Sequence, residues 1–266
     1  MNDMIKTKVG LSITKNNAYV DKIASDIEEI TISKGKQATI FQTYESVQKQ
    51  LHIIIEEGAQ LTYFSYNNGN CACNITVTAE VFGGGVLKIY NASATAKDMN
   101  LFQKISLKGE HATCDIMNVL LLNQSAILNS KIALFHEVAY TNSSLQSYAI
   151  AKDNAILTLD NNATITKGAK GSVIAQKAKG LTLSQGAVIK AMPNLYIDEY
   201  DVIANHAAAI GSVNQEDLFY LMSRGLSEQE AAKIIVMGFV QPLLDEIKND
   251  SFKQEMMHDF AIKLSL

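Results

Sequence analysis

Residues 193–239, PNLYIDEYDVIANHAAAIGSVNQEDLFYLMSRGLSEQEAAKIIVMGF, hold the one sharp change of structural grammar in this chain. Upstream of them, short apolar runs and alternating residues read as strands for well over a hundred residues. Downstream, apolar residues recur at helical spacing. The stretch joins a last strand, a histidine among alanines (His206), a capped helix and the only arginine, Arg224.

Working back from it, TISKGKQATIF, QLHIIIEE, ITVTAEVF, AILTLDNNATIT and GLTLSQGAVIK all read as strands. Turn clusters separate them: Asn67-Asn68-Gly69-Asn70, Gly83-Gly84-Gly85, Asn161-Asn162 and Lys167-Gly168. A loose motif recurs, a polar or glycine turn, then Ala, then an apolar strand: GKQATI (35–40), EGAQL (57–61), GEHATC (109–114), NQSAIL (123–128), KDNAIL (152–157) and SQGAVI (184–189). Stacked short strands with small residues at tight corners make a solenoid, in which each rung buries its inward residues against its neighbours. The spacing is irregular, and a β-sandwich fits the strand count as well. Scarcity of proline favours continuous ladders.

Working forward, Asn214 is placed to N-cap a helix from Gln215 to about Met222, and Gly225 to end it. Ser227 and Glu230 have capping-box spacing for a second helix. Its expected apolar stripe is Ala231, Ile234, Ile235, Phe239 and Ile247, and Pro242 is expected to kink or break it. Ser251 is placed to cap a third helix carrying Phe252, Met256, Phe260 and Leu264. Three short helices make little core alone, so they must pack on the strand body or on another protein. The organisation expected is a lead-in at 1–29, a strand core at 30–205 and a helical docking domain at 206–266.

A chain of 266 residues can bury a full core. No apolar run is long enough to span a bilayer, and the N-terminal residues lack the apolar region of a signal peptide. Three cysteines argue against a disulfide framework and for a reducing cytoplasm. Residues 206–266 hold 5 basic and 9 acidic side chains, and with them the whole formal net charge of −4. That balance disfavours nucleic acid and suits either a solvated helical face or a basic partner patch.

Catalytic signatures do not emerge. Gly83-Gly84-Gly85 lacks the following Lys-Ser/Thr of a phosphate loop and reads as a turn. No zincin motif, nucleophile elbow or clustered carboxylate pair is present, so no catalytic residue is expected. Cys71 and Cys73 would share one face of a strand and make half a metal site, but with no second pair, buried packing weighs heavier. His206 is expected in a tight, poorly solvated spot, as a metal ligand or a packing residue. Arg224 sits at a helix C-terminus, where a cation is favoured, and could also clamp a partner carboxylate. Phe219, Tyr220, Ile235 and Phe239 are candidate partner anchors, or else pack the helices onto the strand body.

One family matches the order of these motifs. His136-Glu-Val-Ala-Tyr-Thr-Asn-Ser143 is followed by Leu183-Ser184, Ala187, Pro193, Leu195 and Ile197. His206, Phe219-Tyr220-Leu221-Met222-Ser223-Arg224-Gly225, Ala231-Ala232 and Gly238-Phe239 complete the series. Over roughly half its length the chain resembles the core domain of the iron–sulfur assembly proteins SufB and SufD. The resemblance implies a right-handed parallel β-helix followed by a small helical domain, with no enzyme activity of its own. It implies pairing through the β-helix, with a second copy or a SufB/SufD-like paralogue, and docking of the helices on a SufC-like ABC-type ATPase. A transient iron–sulfur cluster is the one cofactor implied, with His206 as candidate cluster ligand or interface residue. Neither nucleic acid nor membrane enters. The chain departs from the pattern in lacking a long helical N-terminal domain, in having no cysteine after Cys114, and in reading Ala204-Asn205-His206-Ala207 where the family usually has Ser-His-Gly. These departures keep a second reading open, a solenoid interaction module that keeps the fold and the ATPase docking and binds no cluster.

Overall fold

The structure, a computed structural model, describes residues 9–21, 27–44, 47–69 and 71–264. Residues 1–8, 22–26, 45–46, 70 and 265–266 lie outside the described residues, and with them part of the expected lead-in and Asn70 of the expected Asn67–Asn70 turn cluster. Strands alternate between two parallel sheets, and each sheet orders its strands as the chain does. One sheet takes the odd strands: β1 (Val9–Ile13), β3 (Ile27–Ile32), β5 (Gln48–Ile55), β7 (Cys73–Val81), β9 (Met99–Leu107), β11 (Ile127–His136), β13 (Ile156–Ile165) and β15 (Val188–Ile197). The other takes the even strands: β2 (Ala18–Val20), β4 (Gln37–Tyr44), β6 (Gln60–Asn67), β8 (Val86–Thr95), β10 (Thr113–Leu122), β12 (Asn142–Ala151), β14 (Ser172–Thr182) and β16 (Val202–Ser212). This is the expected parallel β-solenoid. Its strands run from Val9 to Ser212, a wider span than the strand core read from sequence.

Rung length explains the irregular repeat. Gln37 of β4 pairs with Gln60 of β6, 23 residues on, whereas Asn142 of β12 pairs with Val173 of β14, 31 residues on. The corners are uniform in kind instead. A four-residue turn closes with its last N–H on its first carbonyl: Ala59 on Glu56, Ala112 on Gly109, Ala155 on Lys152 and Ala169 on Thr166. These closing alanines are fully buried. Side chains of Ala size let successive corners stack. At Gly109 even a methyl group would meet the backbone nitrogen of Gly83 at 2.0 Å, so the Gly83-Gly84-Gly85 run is packed turn backbone.

Two apolar layers hold the molecule. Inside the solenoid, Ile30, Ile53, Leu87, Ile116, Leu134, Leu159 and Ile174 belong to one continuous core between the sheets. Strands β5, β7, β11 and β13 alternate, with every other residue buried, because their outer face meets water. The second halves of β4, β6, β8, β10 and β12 are buried on both faces, which is why β10 ends in Val119-Leu120-Leu121-Leu122. Their outer face carries a ridge of rings, Phe41 on Phe64 at 4.8 Å and Phe64 on Tyr90 at 4.9 Å.

Helices α2 (Glu228–Glu246) and α3 (Asp250–Leu264) cover that ridge with Val236, Val240, Leu243, Leu244, Phe252, Met256 and Phe260. Two hydroxyls pin them: Tyr66 donates to Asp259 at 2.8 Å and Tyr90 to Glu246 at 3.0 Å. Both phenols are held far from ionisation, first by burial and then by these carboxylates.

Four local expectations are corrected. Pro242 does not interrupt α2, because packing on the sheet holds the helix although Pro242 offers no N–H. The buried stripe of α2 is Ala231, Val236, Val240, Leu243 and Leu244, and Ile234 faces outward. Asn249, not Ser251, caps α3, its Oδ1 accepting from Phe252 N at 2.9 Å. Cys71 precedes β7, so the two thiols do not share a strand face. Cys73 opens that strand, buried beside the Asn67 amide at 2.8 Å.

Candidate functional site

Two exposed surfaces carry the residues that the sequence pointed to. The first is α1 (Gln215–Ser223) with its turn into α2. Asn214 caps it, accepting from Glu216 N at 3.0 Å. Gly225 ends it at φ +95°, a left-handed conformation that suits a residue without a Cβ. Ser227 and Glu230 form the reciprocal capping box, and two bonds from Ser227 hold the Glu230 carboxyl below its ordinary pKa. The connection is therefore set locally by its own side chains.

Only Leu218 of α1 is buried. Phe219 is 73% exposed and Tyr220 56%, and Met222 and Ile234 of α2 are exposed as well. Arg224 lies over the Tyr220 ring at 5.2 Å and donates to its hydroxyl at 3.1 Å. Ring and guanidinium thus hold one another in a fixed arrangement. Glu216, Asp217, Glu228 and Glu230 put negative charge at the starts of α1 and α2. Ile235 and Phe239 are placed differently, half-buried against the ring ridge, with Phe239 edge-on to Tyr148 at 5.5 Å. The structure gathers Phe219, Tyr220 and Arg224 and separates them from Ile235 and Phe239.

The second surface is the end of the solenoid. Strands β15 and β16 are the last of their sheets, and each has one edge without a neighbour. Met192, Tyr196, Ile197, Tyr200, Ile203 and Ile210 are exposed there. His206 lies on β16 in register with Gln176. The expectation of a tight, poorly solvated setting is corrected: His206 is exposed, because no further rung covers this strand. Exposed apolar residues on a free strand edge are not legible from sequence, which marks the last strand before the helices but does not say that its outer edge stays uncovered.

The other histidine of the motif series, His136, is enclosed. Its ring nitrogens meet Thr141 Oγ1 at 2.7 Å and Ser143 Oγ at 2.8 Å, and Thr141 meets Ser172 at 2.8 Å. Within the run His136 to Ser143, which joins β11 to β12, the His136, Thr141 and Ser143 side chains therefore form a buried polar corner, while Glu137, Tyr140 and Asn142 face solvent. Burial lowers the His136 pKa from 6.5 to about 4. The neutral ring is the folded form, so its contribution is complete above pH 6.5 and is lost as pH falls toward 4. At roughly 1.4 kcal/mol per pKa unit the loss reaches about 3 kcal/mol. Denaturant unfolding at pH 7 and pH 4.5 should show a smaller drop for His136→Gln than for the natural chain. Equal drops would show that His136 does not carry this dependence.

Among the described residues no group of three or more His, Cys, Asp or Glu is placed to hold a metal ion. No helix among them is long and apolar enough to cross a membrane. Cys114 is fully buried, and burial drives its thiol pKa far up. Burial raises that of Cys73 too.

Fold and surfaces together define a parallel β-solenoid with a helical flank and an outward aromatic platform. Residues 18–239, from β2 into α2, match the family described as "SUF system FeS cluster assembly, SufBD core domain". The chain belongs to this SufBD family of the iron–sulfur cluster assembly system. It is 26% identical over 216 residues to an iron-sulfur cluster assembly SufBD family protein of Mycobacterium leprae, covering 80% of this chain and 25% of that protein. It is 24% identical over 245 residues to a protein of the same description from Staphylococcus saprophyticus, covering 91% and 51%. The chain thus spans between a quarter and a half of the length of these curated relatives.

Proposed function

We propose that this chain is a non-catalytic scaffold subunit of a SUF-type iron–sulfur cluster assembly complex. One observation carries the reading. Helices α2 and α3 are committed to the solenoid, while α1 is held out with Phe219 and Tyr220 in solvent. Large rings on a preorganised helix make binding hot spots, and the acidic starts of α1 and α2 suit a partner with a basic patch. Membership of a SUF-system family supports a SufC-like ABC-type ATPase as that partner, with the complex working in the cytoplasm.

The end of the solenoid serves pairing with a second copy or a SufB/SufD-like paralogue. A free edge strand offers a row of unpaired N–H and C=O groups, and apolar side chains beside it favour closure against another chain. Two copies joined there bring two His206 side chains toward one junction. The cluster is cargo in this scheme, held between partners and passed on. A single chain offers only one imidazole at that end, with Cys73 and Cys114 buried in earlier strands.

That last fact favours a second reading, an interaction module that keeps the ATPase docking and carries no cluster. Anaerobic reconstitution of the chain with its ATPase separates the two. On the scaffold reading, His206→Ala lowers bound iron and sulfide several-fold, while Cys71→Ser/Cys73→Ser retains them. The reverse pattern would move the ligand role to the thiols. Absence of cluster from the natural complex would leave the interaction module.

A further inference from the structure

A single register position of the even sheet is polar in five successive strands. Gln42 pairs with Ser65, Ser65 with Asn91, Asn91 with Asn118, and Asn118 with Ser147. All five are buried, in an interior otherwise built mainly of Ile, Leu and Ala. The odd sheet contributes Gln103, Ser130 and Asn161, also buried, and Gln176 extends the set into β14.

Part of this set is joined by hydrogen bonds. Tyr63 donates to Gln42 and Ser65 to Asn91. Asn91 donates to Asn118 at 2.6 Å, and Asn118 reaches across to Gln103 at 3.2 Å. Asn161 donates to Ser147 at 3.2 Å and Gln176 to the carbonyl of Asn194 at 3.4 Å. Five atoms are left with no protein partner: Gln42 Nε2, Gln103 Nε2, Ser130 Oγ, Asn161 Oδ1 and Gln176 Oε1. The remaining atom of this kind among the described residues, Asn123 Oδ1, belongs to a side chain bonded to α3.

Five dry, unpaired polar atoms would cost as much as the whole stability of a domain, so they need a partner. Its chemistry is constrained. The two glutamine nitrogens are donors and the two amide oxygens are acceptors, so neither a cation nor an anion satisfies both kinds. Water is donor and acceptor at once, and buried water is usually held by such groups. Gln176 lies in register with exposed His206, so the polar set reaches the open end of the solenoid, where water can enter.

We propose that the solenoid interior holds a column of bound water molecules, hydrogen-bonded to Gln42, Gln103, Ser130, Asn161 and Gln176. The column is part of the core and fixes the polar positions of successive rungs against register slip.

Deuteron magnetic relaxation dispersion on the full chain counts long-lived internal waters. The natural chain should show several. Asn161→Leu and Gln103→Leu should each lose at least one with unchanged circular dichroism. Should a leucine variant fail to fold, Ser130→Ala makes the smallest change and should also lose one. A high-resolution crystal structure should place water within hydrogen-bonding distance of the five named atoms. An internal-water count near zero, a count unmoved by the substitutions, or amides reoriented to bond one another around a dry axis would overturn the proposal.

Discussion

Truncating the chain after Val213, which removes all three helices, should leave an insoluble or unfolded product. The cut uncovers Phe41, Phe64, Tyr66, Tyr90, Val119 and Leu121 along the outer face of the even strands. At roughly 1.5–3 kcal/mol for each large side chain returned to water, six such residues represent about 10 kcal/mol. That equals the whole stability of an ordinary domain, roughly 5–15 kcal/mol. The exposed patch is also continuous, which favours aggregation. Solubility and far-UV circular dichroism of the 1–213 fragment check this. A soluble, monomeric fragment with a cooperative thermal transition would show that α2 and α3 are an appendage rather than half of a second core.

Replacing Phe219 and Tyr220 together by Ala should weaken binding of a SufC-like ATPase by about a thousandfold, on hot-spot values of about 2 kcal/mol for each ring. Both rings face solvent, so the melting temperature should stay almost unchanged. Phe239→Ala should do the opposite: it removes the edge contact with Tyr148 and lowers stability, with a smaller effect on docking. Titration calorimetry and thermal unfolding of the two variants separate platform from packing. Equal losses of affinity would place the docking surface on α2 as well. Raising the salt concentration should slow association if the acidic starts of α1 and α2 steer a basic partner.

What could be read beforehand was mostly local. The caps at Asn214 and Ser227, and the terminating Gly225, depend on side chains within four residues of the backbone they satisfy. The Ala corners depend on a tight turn; strand grammar alone leaves solenoid and β-sandwich both open, and the motif series from His136 to Phe239 points to the parallel β-helix. What could not be read depends on neighbours distant in sequence. Rungs lengthen along the molecule, so strand pairing is invisible to any fixed period. The run Val119 to Leu122 makes sense only once α2 and α3 lie on it. Pro242 is tolerated because packing on that sheet outweighs one missing hydrogen bond.

The candidate site divides the same way. Alanines around His206 suggested enclosure, but enclosure needs a following rung and β16 is the last strand of its sheet. Phe219 and Phe239 are both candidate anchors in sequence, yet one faces solvent and the other the ring ridge. That difference is set by the turn at Gly225, which redirects the chain between α1 and α2. His136 was placed by motif order alone. Its role as the centre of a buried hydroxyl corner depends on Ser172, a strand away on β14 and distant in sequence.

Sedimentation velocity on the purified chain, alone and mixed with a SufC-like ATPase, is the most direct test of the scaffold reading. The chain should sediment as a dimer alone and, in the mixture, as a larger species containing two copies of each protein. Ile203→Asp on the free strand edge should break the first and Phe219→Ala/Tyr220→Ala should prevent the second. A chain that stays monomeric at micromolar concentration and does not change its sedimentation when the ATPase is added would contradict the scaffold reading.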